Sequence, residues 1–436
     1  MSSILDLVKT INLFLAVPST FIFLATGIFL TLKTGFIQIR SLPRFFRILK
    51  SGVTENRHET AKTLSSTHAL FTAMATTLGM GNIVGPSVAI LTGGPGALFW
   101  LVVYAFFSSV TKYAEVTFAI RTRERTKDGR IVGGPTEYLR RVTPGLGIWY
   151  GALTMLLFPA WNALQANTLA EILHCEGVPH WVTGLGLAIL LLIVIFGGVT
   201  RVGSVASKLV PLMFILYISF ALMILIMNYS LLGMACKLII SHIFSPIAPV
   251  GAFVGASVYI AMQSGIYQGI YITEAGIGTS SIPHSLADVK RATDQGVLAM
   301  FSLAADTLLS LVSGLLVLVT GIWLKTQVFT STLTYHIFKG YSPHLGKYVL
   351  ILSIGLLVFT TVMGNAFNGA QNFATFFRYR SIKLYYLFLG AVVFFGAVAH
   401  VRLMWDVMEI ILALVAIPNL IGLIILSFKD GKMLKE

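Results

Sequence analysis

Long runs without a single Asp, Glu, Lys or Arg dominate the chain. They cover residues 10–32, 63–111, 142–170, 177–200, 209–236, 238–273, 348–377, 384–401 and 410–428, while 295–324 carries one charge, Asp306. About 20 residues at ~1.5 Å rise cross ~30 Å of hydrocarbon, so each run is long enough for a helical span. The run 63–111 holds two, divided by the turn Gly93-Gly94-Pro95-Gly96. The pattern predicts eleven transmembrane helices. A lipid-facing β-barrel would show shorter alternating segments instead. The first run lacks a strongly basic leader and an obvious small-residue cleavage site, so it is read as a mature helix.

The charges lie between the runs and give the topology. Of 31 Lys and Arg, 24 fall on one alternating set of connections and six on the other, with Lys112 inside a helix. Lys33, Arg40, Arg44, Arg47 and Lys50 open the first of the rich connections. The asymmetry predicts an outside amino terminus and a cytoplasmic carboxyl terminus, with the protein in the cell (inner) membrane. It also accounts for the net charge of +14, making membrane lipids expected partners and nucleic acid not. No obligate protein partner is called for.

Composition agrees: 11% of residues are charged, against roughly 25% in soluble proteins, and 56% are hydrophobic. The two cysteines, Cys175 and Cys236, exclude a disulfide-built or zinc-built fold and are expected as free thiols on outer loops.

Two spans have interrupted chemistry. In the second, Thr76-Thr77-Leu78-Gly79-Met80-Gly81-Asn82 sits near mid-run. Its glycines permit unwinding, which frees carbonyls for a cation and amides for a carboxylate; close packing through small residues is the alternative. Asn82 and the threonines offer neutral oxygens suited to sodium. The seventh span has a similar texture, with Gly251, Gly255, Gln263, Ser264, Gly265, Gln268 and Gly269. Spans two to six and seven to eleven form two sets of five, each opening with a Gly-rich helix. Five is odd, so the sets begin on opposite sides of the membrane, the arithmetic of an inverted repeat with a site near the midplane.

Gly79-Met80-Gly81-Asn82-Ile83-Val84-Gly85, then Gly93-Gly94-Pro95-Gly96-Ala97-Leu98-Phe99-Trp100 and Lys112-Tyr113-Ala114-Glu115, resemble the alanine/glycine:cation symporter family. Further matches follow in the family's order: Gly133-Gly134-Pro135, Gln165-Ala166-Asn167, Glu274-Ala275-Gly276-Ile277-Gly278, Asp306-Thr307, Phe359-Thr360-Thr361 and Ile417-Pro418-Asn419-Leu420. More distantly, Gly-x-Gly-Asn with its Gly-rich turn resembles the first core helix of neurotransmitter:sodium symporters. The fold implied is an all-α, LeuT-like five-plus-five inverted repeat. An extra helix (1–34), a basic cytoplasmic linker (35–64), repeats at 65–228 and 236–428, and a tail (429–436) are expected.

The resemblance implies sodium ligands at Ala75, Thr76, Leu78, Asn82, Leu357, Thr360 and Thr361. It implies substrate contacts at Thr77, Gly79, Gly81, Gln165, Asn167, Phe253, Gly255 and Asn365. Paired threonines also bond back to their own helix, and Asn167 suits an interhelical hydrogen bond equally well. Lys112, Glu115, Glu274 and Asp306 are expected as a gating or structural ionisable network. His68 and His400 are read as packing residues rather than proton relays.

The chain departs from the family at Asn365-Ala366-Phe367-Asn368-Gly369-Ala370, where Trp-Tyr-Tyr-Gly-Glu is usual. Losing the aromatic implies a larger or more polar pocket and leaves alanine and glycine open as cargo. Thr273, Gln268 and His68 also replace the family's usual Asn, Arg and Gln. The implied function is a sodium-driven secondary transporter for a small neutral amino acid working by alternating access, with no cofactor other than the coupling ion. Proton coupling is the runner-up. An intramembrane enzyme or a channel is the reading from another class, and no Walker A pattern or catalytic constellation supports an enzyme.

Overall fold

The computed structural model describes residues 2–51, 63–125, 131–243, 258–324, 332–377, 381–399 and 402–434. The predicted Phe253, Gly255 and His400 lie outside the described residues. Helix α1 (Ser2–Thr34) is followed by two short helices, α2 (Ile37–Arg40) and α3 (Leu42–Ser51). The second apolar run is divided into α4 (Ser66–Thr77) and α5 (Met80–Gly93). Next come α6 (Ala97–Arg121), a small antiparallel hairpin of β1 (Glu124–Arg125) with β2 (Ile131–Val132), and α7 (Pro135–Arg140). The first half ends with α8 (Pro144–His174), α9 (His180–Ile195), α10 (Gly198–Met227) and α11 (Tyr229–Ser241). The second half holds α12 (Val258–Thr273), α13 (Ser281–Ser285), α14 (Ala292–Thr320), α15 (Leu333–Tyr341), α16 (Leu345–Phe376), α17 (Ile382–Val398) and α18 (Arg402–Lys429).

Six described helical stretches are long and apolar enough to cross a bilayer: Ser66–Gly93, Ala97–Arg121, Gly198–Met227, Ala292–Thr320, Leu345–Phe376 and Met408–Lys429. Shorter apolar helices accompany them at Pro18–Thr34, His180–Ile195, Tyr229–Ser241 and Ile382–Val398. This is a multi-pass helical membrane protein. Helix α6 is buried along most of its length, between α12 and α14. By contrast, α9, α10 and α17 display Ile189, Ile193, Ile215, Ile226, Leu384 and Phe395 on the outside. In water such a belt would drive aggregation; in lipid it is the solvated face.

One part of the sequence pattern comes out differently: Arg201 and Lys208, expected in a loop, lie within α10. In the run 238–273 the described helices are α11, which ends at Ser241, and α12 (Val258–Thr273), with Gly251 and Gly255 outside the described residues. Gln263, Ser264, Gly265, Gln268 and Gly269, expected to loosen the seventh span, lie in the unbroken α12. There the glycines admit a neighbour, because a Cβ on Gly265 would stand 2.2 Å from the Ala97 carbonyl oxygen and one on Gly269 2.6 Å from the Tyr104 ring. Small residues are used in α12 for close helix approach.

Candidate functional site

The break between α4 and α5 is two residues long and fully buried. Leu78 and Gly79 leave helical geometry at φ −78°, ψ 84° and φ −131°, ψ −167°. The Gly79 amide turns to the Thr77 carbonyl (3.0 Å) and to Asn82 Oδ1 (3.0 Å), while the Asn82 amide donates to the Gly79 carbonyl (3.1 Å). Asn82 thus caps α5 from its third residue, as an amide side chain can. The carbonyls of Ala75 and Thr76, whose helical partners would lie past the break, have no partner among the described residues. The same is true of the Met80 and Gly81 amides at the start of α5. Opposed helix ends place partial negative charge on one side of the gap and positive charge on the other.

Three other helices close on this gap. From α16, Thr361 Oγ1 donates to the Leu78 carbonyl (3.3 Å), and Gly364 lies so near α4 that a Cβ there would meet Thr76 Cγ2 at 2.6 Å. From α8, Gln165 approaches Gly79: a Cβ on Gly79 would stand 3.2 Å from Gln165 Nε2 and 2.8 Å from Thr361 Oγ1. From α14, Asp306 accepts from Thr77 Oγ1 (3.1 Å), and its backbone carbonyl accepts from Asn82 Nδ2 (3.2 Å). Gln165 Oε1, Asp306 Oδ2 and Asn365 Oδ1 are buried atoms without a hydrogen-bond partner among the described residues. Asn365 lies one turn beyond Thr361 on α16. Buried polar atoms without partners are costly, and three of them, on α8, α14 and α16, lie on the helices that close on the break.

The remaining predicted residues fall around the gap in different ways. Thr360 does not join Thr361: its hydroxyl bonds back to the Leu356 and Leu357 carbonyls (2.9 and 3.0 Å) and faces Met213 Sδ of α10 (3.3 Å). The Leu357 carbonyl is therefore already engaged. Asn167 points away from Gln165 and donates to the Gly396 and Ala399 carbonyls (3.1 and 2.8 Å), clamping the end of α17. Of its two sequence readings, the interhelical one is what the structure builds. Gly81 lies beside the Tyr271 carbonyl of α12.

The ionisable residues hold backbone groups and neutral side chains rather than one another. Lys112 donates to the Thr273 carbonyl (3.1 Å), and among the described residues it makes no ion pair. Glu115 accepts from the Gly276 amide (3.0 Å) and from Asn419 Nδ2 (2.9 Å). Both secure the turn after α12, where Glu274, Gly276 and Gly278 adopt positive φ. Glu274 in turn accepts from Thr279 (2.5 Å) and Thr76 (3.4 Å). The last two residues of α4 therefore each hold a carboxylate, Glu274 and Asp306. Among the described residues no ion pair joins these four groups; backbone groups, threonine hydroxyls and the Asn419 amide hold them.

Sequence reasoning passed over three residues. Asn162, one turn before Gln165 on α8, donates to the Val362 carbonyl (3.2 Å) and leaves its own oxygen without a partner. Gln295 and His284 hold the end of α4 remote from the break. Ser66 Oγ donates to Gln295 Oε1 (2.6 Å), Gln295 Nε2 donates to the Ser66 carbonyl (3.1 Å), and His284 Nδ1 lies 2.8 Å from Gln295 Nε2. Beside them Leu64 bridges to Leu286 and Asp288 (3.0 and 2.9 Å). For Asn162 the three-residue spacing from Gln165 was the readable signal; for the Gln295–His284 pair the sequence held none. A cleft of about 630 Å³ lies away from this site, between the end of α6 and the start of α14, and is lined by Arg121, Arg123, Lys290 and Arg291. Its chemistry is that of the basic membrane face, not of the break.

Comparison with known proteins places this architecture. The sodium:alanine symporter family profile matches residues 1–436. The chain is similar to the sodium/alanine symporter AgcS of Methanococcus maripaludis, at 35% identity covering 97% of this chain and 94% of AgcS. In fold it is similar to MhsT in complex with L-phenylalanine, with a TM-score of 0.61 at 16% identity, covering 85% of this chain and 90% of MhsT. It is also similar to a Na⁺-coupled sialic acid symporter, with a TM-score of 0.60 at 14% identity over 92% and 82% of the two chains. A LeuT-type core with its first helix broken at Leu78–Gly79 and a family profile spanning the whole chain lead to one assignment: the chain belongs to the sodium:alanine symporter family.

Proposed function

We propose that this sodium-coupled amino acid symporter carries a small neutral amino acid at the α4–α5 break, by alternating access. The observation that carries the reading is the set of unpartnered groups there. The Met80 and Gly81 amides at the α5 N-terminus suit a carboxylate. The free oxygens of Gln165 and Asn365 suit an ammonium group or a polar side chain. Sodium fits the oxygen-rich side: the carbonyls of Ala75 and Thr76, with Leu78 and the Thr361 hydroxyl adjoining. Asp306 adds a negative charge next to both. Phe253 and Gly255 remain proposed lining residues, and the outside amino terminus and inner-membrane location remain proposed from the charge asymmetry.

The test is uptake of labelled alanine, glycine, serine and other small amino acids into proteoliposomes under an imposed sodium gradient. Saturable uptake that collapses when choline replaces sodium is expected. Uptake driven by a pH gradient and indifferent to sodium would transfer the coupling role to a proton on Asp306.

A further inference from the structure

Between α1 and the transport core the chain makes a device that amino acid transport does not require. At Gly35 (φ 65°) and Phe36 (φ 57°) it leaves the axis of α1, and Gln38 Nε2 donates back to Thr31 Oγ1 (3.1 Å). Helix α3 is thereby laid across the end of the bundle. Residues 33–51 contain Lys33, Arg40, Arg44, Arg47 and Lys50, and no Asp or Glu.

Helix α3 has three faces. One is bound to protein. Arg44 Nε donates to Asp294 Oδ1 (2.7 Å) and Nη2 to Thr293 Oγ1 (2.7 Å), Phe45 stacks on Phe301 with centroids 4.3 Å apart, and Ile48 is buried. The second is an exposed apolar stripe at the i, i+4, i+7 positions Leu42, Phe46 and Leu49; the last two are 62% and 60% exposed. Ile39 of α2 continues it. The third carries Arg47 and Lys50, with Arg40 exposed beside it at the end of α2. At the end of α1, Leu32 and Phe428 are also exposed, and Lys33 Nζ lies 3.4 Å from the Phe428 ring centroid. An apolar face flanked by basic residues with no acid among them is the complement of an anionic bilayer surface.

We propose that α3 is an interfacial anchor that seats Leu42, Phe46 and Leu49 in the bilayer and binds anionic phospholipid headgroups through Arg40 and Lys50. Because Arg44 and Phe45 fasten α3 to the start of α14, the anchor also holds in place the helix that brings Asp306 to the break.

The experiment uses the full chain with Cys175→Ser and Cys236→Ser, both native cysteines being exposed. A nitroxide is attached in turn at Pro43→Cys, Phe46→Cys and Leu49→Cys, in vesicles of phosphatidylcholine alone or with roughly a third phosphatidylglycerol. Collision with oxygen is compared with collision with a water-soluble nickel chelate. Labels at 46 and 49 are expected to be shielded from the chelate about tenfold more than the label at 43, and to lie deeper in the anionic vesicles. Arg40→Gln and Lys50→Gln should each reduce that anionic preference roughly fivefold. Equal chelate access at all three sites, or depths indifferent to phosphatidylglycerol and to both substitutions, would overturn the proposal. The readout is label depth, so failure here and failure of the substrate reading are separate results.

Discussion

Gly79→Ala puts the reading of the break to its most direct test. The backbone at Gly79 (φ −131°, ψ −167°) is extended and open to any residue, so alanine brings no backbone strain. What it brings is a methyl 2.8 Å from Thr361 Oγ1 and 3.2 Å from Gln165 Nε2, closer than carbon normally approaches either atom. Overpacking of this kind costs about 1–3 kcal/mol. The helices that must yield are α16 and α8, and they carry the groups proposed to meet sodium and substrate. If the cost falls on the bound state, apparent affinity for both cargoes should drop roughly 5- to 150-fold, at 1.4 kcal/mol per factor of ten. The assay is sodium-driven amino acid uptake in proteoliposomes across a matrix of sodium and amino acid concentrations, with thermal unfolding of the purified protein as control. Adding Thr361→Ala separates packing from binding: it relieves the clash, so unfolding temperature should recover while sodium dependence does not. Uptake by Gly79→Ala with unchanged concentration dependence for both cargoes would refute the placement of the site at this gap.

Asp306→Asn should leave a folded protein, since an amide still accepts from Thr77, but weaken sodium stimulation about a hundredfold or more; a unit charge ~5 Å from a cation at an effective dielectric near 20 is worth about 3 kcal/mol. Sodium titration of uptake reads this, and an unchanged midpoint would remove the carboxylate from coupling. Asn365→Trp, filling a buried position beside the gap, should cut uptake of amino acids larger than alanine about tenfold or more while sparing the smallest, as read by competition with labelled substrate. His284, in the short helix outside the spans, has its imidazole pushed down to about 3 by burial and then by the Lys112 charge. A folded-state value below the unfolded one means the neutral form is favoured on folding, so this contribution is complete above about pH 6.5 and is lost as pH falls towards 3. Melting in detergent should lose about 1 kcal/mol between pH 6.5 and 5.5, and His284→Asn should flatten that slope. A wild-type slope retained in the variant would place the titrating group elsewhere.

Much of this architecture could be read from the sequence because a bilayer imposes one simple requirement on every segment. Charge-free length located α8 and α16, apolar length located α14 despite Asp306, and the double-glycine turn correctly separated α5 from α6. The break itself was legible for a related reason: Gly79 and Gly81 have no place in the middle of a lipid span unless the backbone is used. What could not be read was direction. Thr360 and Thr361 are adjacent and chemically identical, yet a helix turns consecutive residues by about 100°, and only Thr361 faces Leu78. Gln165 and Asn167 divide in the same way, one toward the gap and the other toward α17. The glycines of α12 were ambiguous because close packing and unwinding ask for the same residue; at Gly265 and Gly269 the neighbours Ala97 and Tyr104 show the packing use, while Gly251 and Gly255 lie outside the described residues.

The same geometry indicates how binding at the gap can move a helix. Helix α4 is joined to α5 through only Leu78 and Gly79, so it can pivot with little loss of helical hydrogen bonding. Its two ends are held differently. At the gap, Thr76 and Thr77 bind Glu274 and Asp306, groups next to the proposed site. At the opposite end, Ser66 and Leu64 are held by hydrogen bonds to Gln295, Leu286 and Asp288. Individual neutral hydrogen bonds contribute about 1 kcal/mol each, whereas a cation held by α4 carbonyls and the Thr361 hydroxyl joins α4 directly to α16. Under the proposed reading, sodium and substrate bias the hinge by their differential affinity for its two positions, a tenfold population change for each 1.4 kcal/mol. Under the proposed assignment, coupling requires no long-range relay, because three of the cation's proposed ligands, Ala75, Thr76 and Leu78, form or directly adjoin the pivot at Leu78 and Gly79.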